Sequence, residues 1–264
     1  MPSENVDRNL DQIAQSFVGA RKARTALLTY PGDIPGDISA AYAAQDRAIT
    51  LYGGSIGGWK VGRINPPVEG YDRLTGPIFS DTIFDETADP VAMPVFADGF
   101  AAAEAEFLLR IGTAPDPAKA SYTIAEAADL LDAVHVGIEI ASSPFVGING
   151  NGPFVTISDF GNNNGLVIGA AIPDWRELDL NAWLVELDIN GAPIGSKTAA
   201  SMLDGPIGAA RFLFEIMAKR GIALQPGQWI SSGAVTGVHP VAVGDSVDVR
   251  FDGRLATRCI ITAL

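Results

Sequence analysis

Three glutamates stand inside apolar runs, and this placement limits the possible folds more than any other feature of the chain. In Ala103-Glu104-Ala105-Glu106-Phe107-Leu108-Leu109 the acids alternate with apolar residues. On a strand, side chains two apart share a face, so Glu104 and Glu106 project together, roughly 7 Å apart along the backbone. Ala105, Phe107 and Leu109 then form the opposite face, which packs into a core. The third acid, Glu139, lies in Val134-His135-Val136-Gly137-Ile138-Glu139-Ile140, a β-branched run that predicts a central strand. Carboxylates side by side on a half-buried strand repel one another and lose hydration. A divalent cation removes both penalties. An edge strand with a solvated face would carry the same spacing, and an arginine such as Arg110 would also satisfy Glu139. Three carboxylates without histidine or thiolate partners favour a hard ion, Mg²⁺ or Mn²⁺, over Zn²⁺.

The surrounding chain is long enough to bury such strands. Its 264 residues suit one large domain, and 47% apolar side chains exclude intrinsic disorder. Leu10, Ile13, Ala14 and Phe17 recur at helical spacing, and Asp37 is placed to cap a helix from Ile38 to Leu51, ended by Gly53-Gly54. A strand through Trp59 to Val61 follows. Further strands are expected at Glu104–Arg110, Val134–Ala141, Val155–Ser158, Leu166–Ile168 and Trp183–Asp188, with helices at Ile124–Ala133 and Gly208–Arg220. Asn190-Gly191 and Asp252-Gly253 mark two hairpins, since both dipeptides accept positive φ. The mix predicts an α+β fold with a mixed or barrel-like sheet rather than alternating βαβ units.

Charge narrows the function. Thirty-one acids against eighteen Lys and Arg give a net charge of −13, which repels phosphate backbones. Nucleic acid is therefore not an expected partner, and no apolar stretch reaches the ~20 residues of a membrane span. The opening residues, with Glu4, Asp7 and Asp11, do not resemble a signal peptide, so a soluble cytoplasmic protein is expected. Cys259, the one cysteine, sits in an apolar run and reads as a buried, inert thiol.

Six segments, taken in order, resemble the fumarylacetoacetate hydrolase superfamily, in its 2-oxopent-4-enoate (2-hydroxypentadienoate) hydratase and oxalocrotonate decarboxylase branch. They are Gly58-Trp59-Lys60-Val61-Gly62, Glu104-Ala105-Glu106, Gly137-Ile138-Glu139-Ile140, Asp159 through Gly169, Ala218 through Gly227, and Ser232-Gly233-Ala234-Val235-Thr236 followed by Pro240-Val241 and Gly244-Asp245. The resemblance implies a twisted β-roll or barrel, with an N-terminal helical segment and lysine strand (1–80) packed on a metal-binding catalytic domain (81–264). It implies Mg²⁺ or Mn²⁺ held by Glu104, Glu106 and Glu139, chelating a small 2-oxo acid. Lys60 would carry a proton, and a lysine in such a pocket is expected to have a lowered pKa. The Ser232-Gly233-Ala234 turn would meet the substrate, Arg63 and Arg73 would attract its carboxylate, and Phe79, Phe145 and Phe160 would shape a pocket for its tail.

The implied reaction is hydration of a 2-hydroxy-dienoate to a 4-hydroxy-2-oxo acid in aromatic catabolism, by a homo-oligomer. Decarboxylation of an unsaturated 2-oxo diacid on the same scaffold is the alternative. Carbon–carbon hydrolysis of an acylpyruvate is disfavoured, because no histidine precedes His135 and the third ligand is a glutamate. A non-catalytic partner, in complex with a pathway decarboxylase, is a further reading. Three departures from the branch stand out. Leu74-Thr75-Gly76-Pro77 lacks an acidic residue, Ser142-Ser143-Pro144 loses an arginine and with it a charge pair, and Asn162-Asn163 stand where two serines are usual.

Overall fold

In the computed structural model the described residues are 2–264, with side chains from residue 4 onwards. Among them an eight-stranded mixed sheet follows the order β2 (Tyr71–Phe79), β1 (Ile56–Val68), β10 (Trp229–Ser231), β5 (Phe100–Ile111), β6 (Leu131–Ser143), β7 (Asn163–Ala171) and β3 (Ile83–Asp85). The two-residue β11 (His239–Pro240) also pairs with β5. A five-stranded sheet runs β4 (Val91–Val95), β13 (Leu255–Ala263), β12 (Ser246–Phe251), β8 (Leu184–Ile189) and β9 (Ala192–Thr198). The larger sheet curls until β2 approaches β7, yet β2 and β3 remain its unjoined ends, so it is an open roll and not a closed barrel.

Alternation along β5 and β6 sorts their side chains between two layers. Ala105, Phe107 and Leu109, with Val136, Ile138 and Ile140, face the smaller sheet and share one core with Val185, Leu187, Val249 and Phe251. The other face carries the glutamates and lies under the helices. Helix α1 (Pro2–Ala23) packs on α2 (Ile38–Tyr52), which in turn meets α4 (Pro153–Ser158). Leu10, Ile13 and Phe17 bury against Phe145, Ile148 and Val155, while Ala14, Val18 and Ala48 close on Phe79 and Phe160. The expected helical spacing near the N-terminus is thus a real packing face. Asp37 caps α2 through its side chain, and Gly53 ends it at φ 75°. Helix α5 (Gly205–Arg220) completes the main core with Ala209, Leu213, Phe214 and Met217.

Two sequence expectations fail here for local reasons. Val155–Ser158 is not a strand but most of α4, because Pro153 occupies the first helical positions, where its missing N–H costs nothing. The expected Ile124–Ala133 helix stops at Asp129, as α3 (Ile124–Asp129), opened by a Thr123–Glu126 capping box. Leu131 already belongs to β6, whose pairing with β5 claims the rest. Both hairpins form as expected, with Asn190 and Asp252 at positive φ.

Phe107 joins the two sheets. It is fully buried, 5.2 Å from Phe251 and 6.2 Å from Trp183 between ring centroids. Phe107→Ala is expected to cost about 3–5 kcal/mol, read as a lower midpoint in urea unfolding.

Candidate metal centre and cleft

The antiparallel register of β5 and β6 sets Glu104 directly opposite Glu139 and Glu106 opposite Gly137. Like charges facing each other across a strand pair are unfavourable even at a surface. Here the three carboxylates are 5%, 0% and 0% exposed, and their oxygens lie within 4.8 Å of one another. The position opposite Glu106 suits glycine, because a Cβ on Gly137 would come within 2.7 Å of the Val167 carbonyl oxygen as well as striking the Leu108 side chain.

Four neighbours meet this charge. Lys60 on β1 places Nζ 3.0 Å from Glu139 Oε1 and donates to Asn162 Oδ1 at 3.0 Å. Asn163 Nδ2 donates to the same Glu139 oxygen at 2.8 Å. Ser231 Oγ and the Gly233 N–H both donate to Glu106 Oε2. Glu106 Oε1 and Glu139 Oε2 remain buried without a hydrogen-bond partner. Against three negative charges the lysine supplies one positive charge, leaving the excess that one divalent cation would neutralise. Two orphaned carboxylate oxygens aimed into an all-oxygen donor set fit a hard ion such as Mg²⁺ or Mn²⁺.

The protonation states follow from burial. Desolvation pushes Glu104 up to about 7, with Lys60 pulling the other way and Glu139 adding to the rise. Glu106 is raised well above the usual carboxylate range by burial and then by Glu139 and Glu104. For Lys60 the expected lowering is overturned. Burial works in that direction, but the fields of Glu139, Glu104 and Glu106 outweigh it and hold the proton on Nζ.

The segment after α4 aims the lysine's partner. Phe160, Gly161 and Asn162 have φ of 54°, 64° and 60°, three successive left-handed residues. Gly161 sits where a Cβ would come within 3.1 Å of Lys60 Cδ. Such backbone strain persists only where the surroundings over-determine it. Asn162 is in turn held by Asn149, its Nδ2 donating to Asn149 Oδ1 at 2.9 Å. Beneath the turn, Asp159 is wholly buried and accepts from Arg21 Nη2 at 2.9 Å in a two-pronged ion pair. Residues 142–144 carry no charged side chain, and the buried ion pair found here takes its arginine from α1. Arg21 also donates to the Ser142 carbonyl.

Glu104 is the carboxylate that opens onto a cleft of about 920 Å³, lined also by Lys60, Asn162, Ser232, Gly233 and Ala234. The Gly233 N–H is already given to Glu106, whereas Ser232 Oγ is buried and unpartnered. Arg63 and Arg73 line the same cleft, and the phenylalanine on its wall is Phe100. Phe79, Phe145 and Phe160 lie in helix–sheet cores instead. His135 takes no part in the carboxylate cluster. Its Nδ1 bonds the Gly169 carbonyl and its ring meets Trp229 edge-on. Arg110 pairs with Asp132 rather than Glu139. Cys259 is buried, its thiol pushed up to about 12 by desolvation and by Asp248, as an inert core residue should be. Among the described residues no helix is long and apolar enough to cross a membrane.

No protein-family model matches the sequence. Relatives do. The chain is 28% identical over 97 residues to the 4-oxalocrotonate decarboxylase of Pseudomonas sp. strain CF600, an alignment that spans 37% of each protein. It is 26% identical over 253 residues to the 2-keto-4-pentenoate hydratase of Paraburkholderia xenovorans LB400, spanning 92% of this chain and 91% of that one. Among solved structures, the 4-oxalocrotonate decarboxylase of Pseudomonas putida G7, complexed with magnesium and adipate, superposes with a TM-score of 0.81 at 19% identity, over 97% and 98% of the two chains. The fumarylpyruvate hydrolase of Pseudomonas aeruginosa, complexed with Mn²⁺ and pyruvate, gives 0.58 at 14% identity over 78% and 89%.

The raised carboxyl groups predict a pH dependence. The folded, metal-free protein keeps protons on Glu104 and Glu106 that the unfolded chain releases at ordinary carboxylate values. That stabilisation is fully present below the unfolded value and is lost as pH rises through about 7 for Glu104. Metal-free protein should therefore melt lower at about pH 8 than at about pH 5.5, and Mg²⁺ should raise the Tm more at the higher pH. Thermal melts with Mg²⁺ and with a chelator check this, and an equal Mg²⁺ shift at both values contradicts it.

Proposed function

We propose that this chain, a relative of the hydratase and decarboxylase branch of the fumarylacetoacetate hydrolase superfamily, is a divalent-metal-dependent hydro-lyase. Its substrate is a 2-hydroxy-dienoate, the enol form of a 2-oxo-alkenoate, and its product a 4-hydroxy-2-oxo acid. The observation that carries this reading is the buried cluster of Glu104, Glu106 and Glu139, with two orphaned oxygens and a lysine in contact. The full-length likeness to a 2-keto-4-pentenoate hydratase supports the reaction class.

Glu104, Glu106 and Glu139 would hold Mg²⁺ or Mn²⁺, which when bound supplies a Lewis acid for the carboxylate and 2-oxo oxygens and stabilises the enolate. The remaining work falls to the chain itself. Ser231 and Gly233 fix one Glu106 oxygen, and Asn163 and Lys60 fix one Glu139 oxygen, so that the others face the site. Lys60 Nζ carries its proton on the cleft wall beside Glu139 and is aimed by Asn162. It would pass that proton to the far carbon of the dienol while the 2-hydroxyl releases its own, which returns to Nζ, giving the unsaturated 2-oxo acid. Water then adds its hydroxyl to carbon 4 and a proton to carbon 3, with nothing left over. Ser232 Oγ, unpartnered on the cleft wall, is free to bond the substrate.

In the absence of an acidic residue within Leu74-Thr75-Gly76-Pro77, Lys60 is the titratable side chain that the cleft offers next to the carboxylates. The Thr75 hydroxyl donates to the Lys60 carbonyl and so braces the strand, not the reaction. The division proposed at residue 80 follows the same roles, with residues 1–80 supplying α1, α2 and Lys60 and residues 81–264 the carboxylates.

The test is loss of dienol absorbance when purified protein meets 2-hydroxypenta-2,4-dienoate. Turnover should require Mg²⁺ or Mn²⁺ and vanish in Glu106→Ala. Lys60→Met at saturating Mg²⁺ should retain metal binding and lose roughly 10²–10⁴-fold in kcat. Metal-independent turnover, or full activity in Glu106→Ala, contradicts the reading. Release of CO₂ from an unsaturated 2-oxo diacid without hydration would reassign the reaction to decarboxylation at the same site.

A further inference from the structure

The segment that links β6 to α4, residues 144–152, is rich in glycine and yet firmly held. Ile148 is fully buried and packs in one cluster with Leu10, Phe17 and Phe145. Its N–H donates to the Phe145 carbonyl, and its own carbonyl accepts from Thr156 Oγ1 at 3.0 Å. The Gly147 carbonyl accepts from the Gly150 N–H at 3.1 Å and from Asn151 Nδ2 at 2.7 Å. These bonds fix the residue between Ile148 and Gly150, and that residue, Asn149, is exposed and lines the cleft. Phe100 ties the loop to the metal centre. It lies four residues before Glu104 on the same face of β5, lines the cleft, and packs against the cluster that holds Ile148. Asn149 therefore stands at the Glu104 end of the cleft.

Hydrogen-bond polarity decides which way its amide faces. An ammonium group only donates, so Lys60 holds the oxygen of Asn162 toward itself. The Asn162 amide nitrogen then points away, and it donates to Asn149 Oδ1 at 2.9 Å. Asn149 Nδ2 is left as the far end of the chain. Among the described residues it has no partner, so its N–H groups are offered to whatever occupies the cleft. A positive charge at one end of such a chain polarises each link, which makes the last N–H a stronger donor.

Beyond its chelated carboxylate and 2-oxo group, a 4-hydroxy-2-oxo acid has one further oxygen, the hydroxyl on carbon 4. We infer that Asn149 is a specificity-determining residue whose Nδ2–H donates to that hydroxyl oxygen. This rests on the hydratase reading above and adds a residue that the reading does not use. In the reverse reaction the bond from carbon 4 to oxygen breaks, the electron pair leaves with the oxygen, and the proton lost from carbon 3 ends on it as water. An amide donor stabilises the charge gathering on that oxygen without giving up its own proton, and water addition passes through the same arrangement. The dienol and the unsaturated 2-oxo acid carry no oxygen on carbon 4, so the contact belongs to the chemical step and not to substrate binding.

Two acids without a proton on carbon 3 give an inert pair of probes. 4-Hydroxy-3,3-dimethyl-2-oxobutanoate and 3,3-dimethyl-2-oxobutanoate differ by one hydroxyl, and neither can be dehydrated. In isothermal titration of the Mg²⁺-loaded full chain, wild type should bind the hydroxy acid about fivefold more tightly, the effect of one net hydrogen bond. N149A should bring the two to within about twofold and leave oxalate, which engages the metal end alone, as in wild type. In turnover of 2-hydroxypenta-2,4-dienoate, N149A should lose about tenfold in kcat and keep KM within about twofold. No hydroxyl preference in wild type, a preference that survives in N149A, a loss that falls equally on oxalate, or a raised KM at unchanged kcat each overturns the assignment of Asn149. Mg²⁺-dependent oxalate binding and dienoate turnover by wild type then still keep the metal site and the reaction. No turnover by wild type overturns hydration and this inference with it, and no Mg²⁺-dependent oxalate binding overturns the metal site first.

Discussion

The register that sets Glu104 opposite Glu139 on the two longest-paired strands of the large sheet is the constraint around which the rest is arranged. Two carboxylates in that position, with a third beside them and nearly no water, are unfavourable through both repulsion and desolvation. Each neighbouring element supplies something that offsets this. β1 runs parallel to β10 so that Lys60 and Ser231 share a row, and each donates to a glutamate. The turn after β10 gives the Gly233 N–H, and β7 gives Asn163. What these donors leave is two bare oxygens and two surplus negative charges, an arrangement that a divalent cation would complete.

The helical layer is the second part of the same arrangement. A sheet face carrying three carboxylates cannot simply be packed with leucines. α1, α2 and α4 cover it while delivering polar groups through the cover. Arg21 comes down from α1 to neutralise Asp159, and the buried pair anchors the start of the left-handed turn whose Asn162 meets Lys60. Removing one member of a buried ion pair usually costs more than the pair is worth, because the other is left charged and dry. The N-terminal helices are thus coupled to the site through Arg21 on α1 and through Gln45 and Tyr42 on α2, which hold Thr75 against the Lys60 strand.

Much of this was legible in the sequence. The period-two pattern around Glu104 and Glu106 and the β-branched run around Glu139 identified the two central strands, and the absence of other ligand types identified a hard cation. Lys60 came from the resemblance, not from any periodicity. What stayed hidden has a physical reason in each case. Arg21 is 138 residues from Asp159 and sits in an otherwise ordinary helical repeat, so no local pattern marks it. Asn162 and Asn163 look like loop residues until the left-handed backbone turns one toward Lys60 and strand pairing turns the other toward Glu139. Val155–Ser158 has strand-like composition, but a proline at the helix start decides its conformation. The raised pKa of Lys60 reverses the usual inference for a pocket lysine, because that inference counts burial and cannot count carboxylates from other strands.

The most direct test of the account is where a metal ion sits. Crystals grown with Mn²⁺ and measured at the manganese absorption edge should show one strong anomalous peak per chain, with oxygens of Glu104, Glu106 and Glu139 each at about 2–2.3 Å from it. A peak elsewhere in the chain, or none at saturating Mn²⁺, would contradict the claim that the three glutamates form a metal centre.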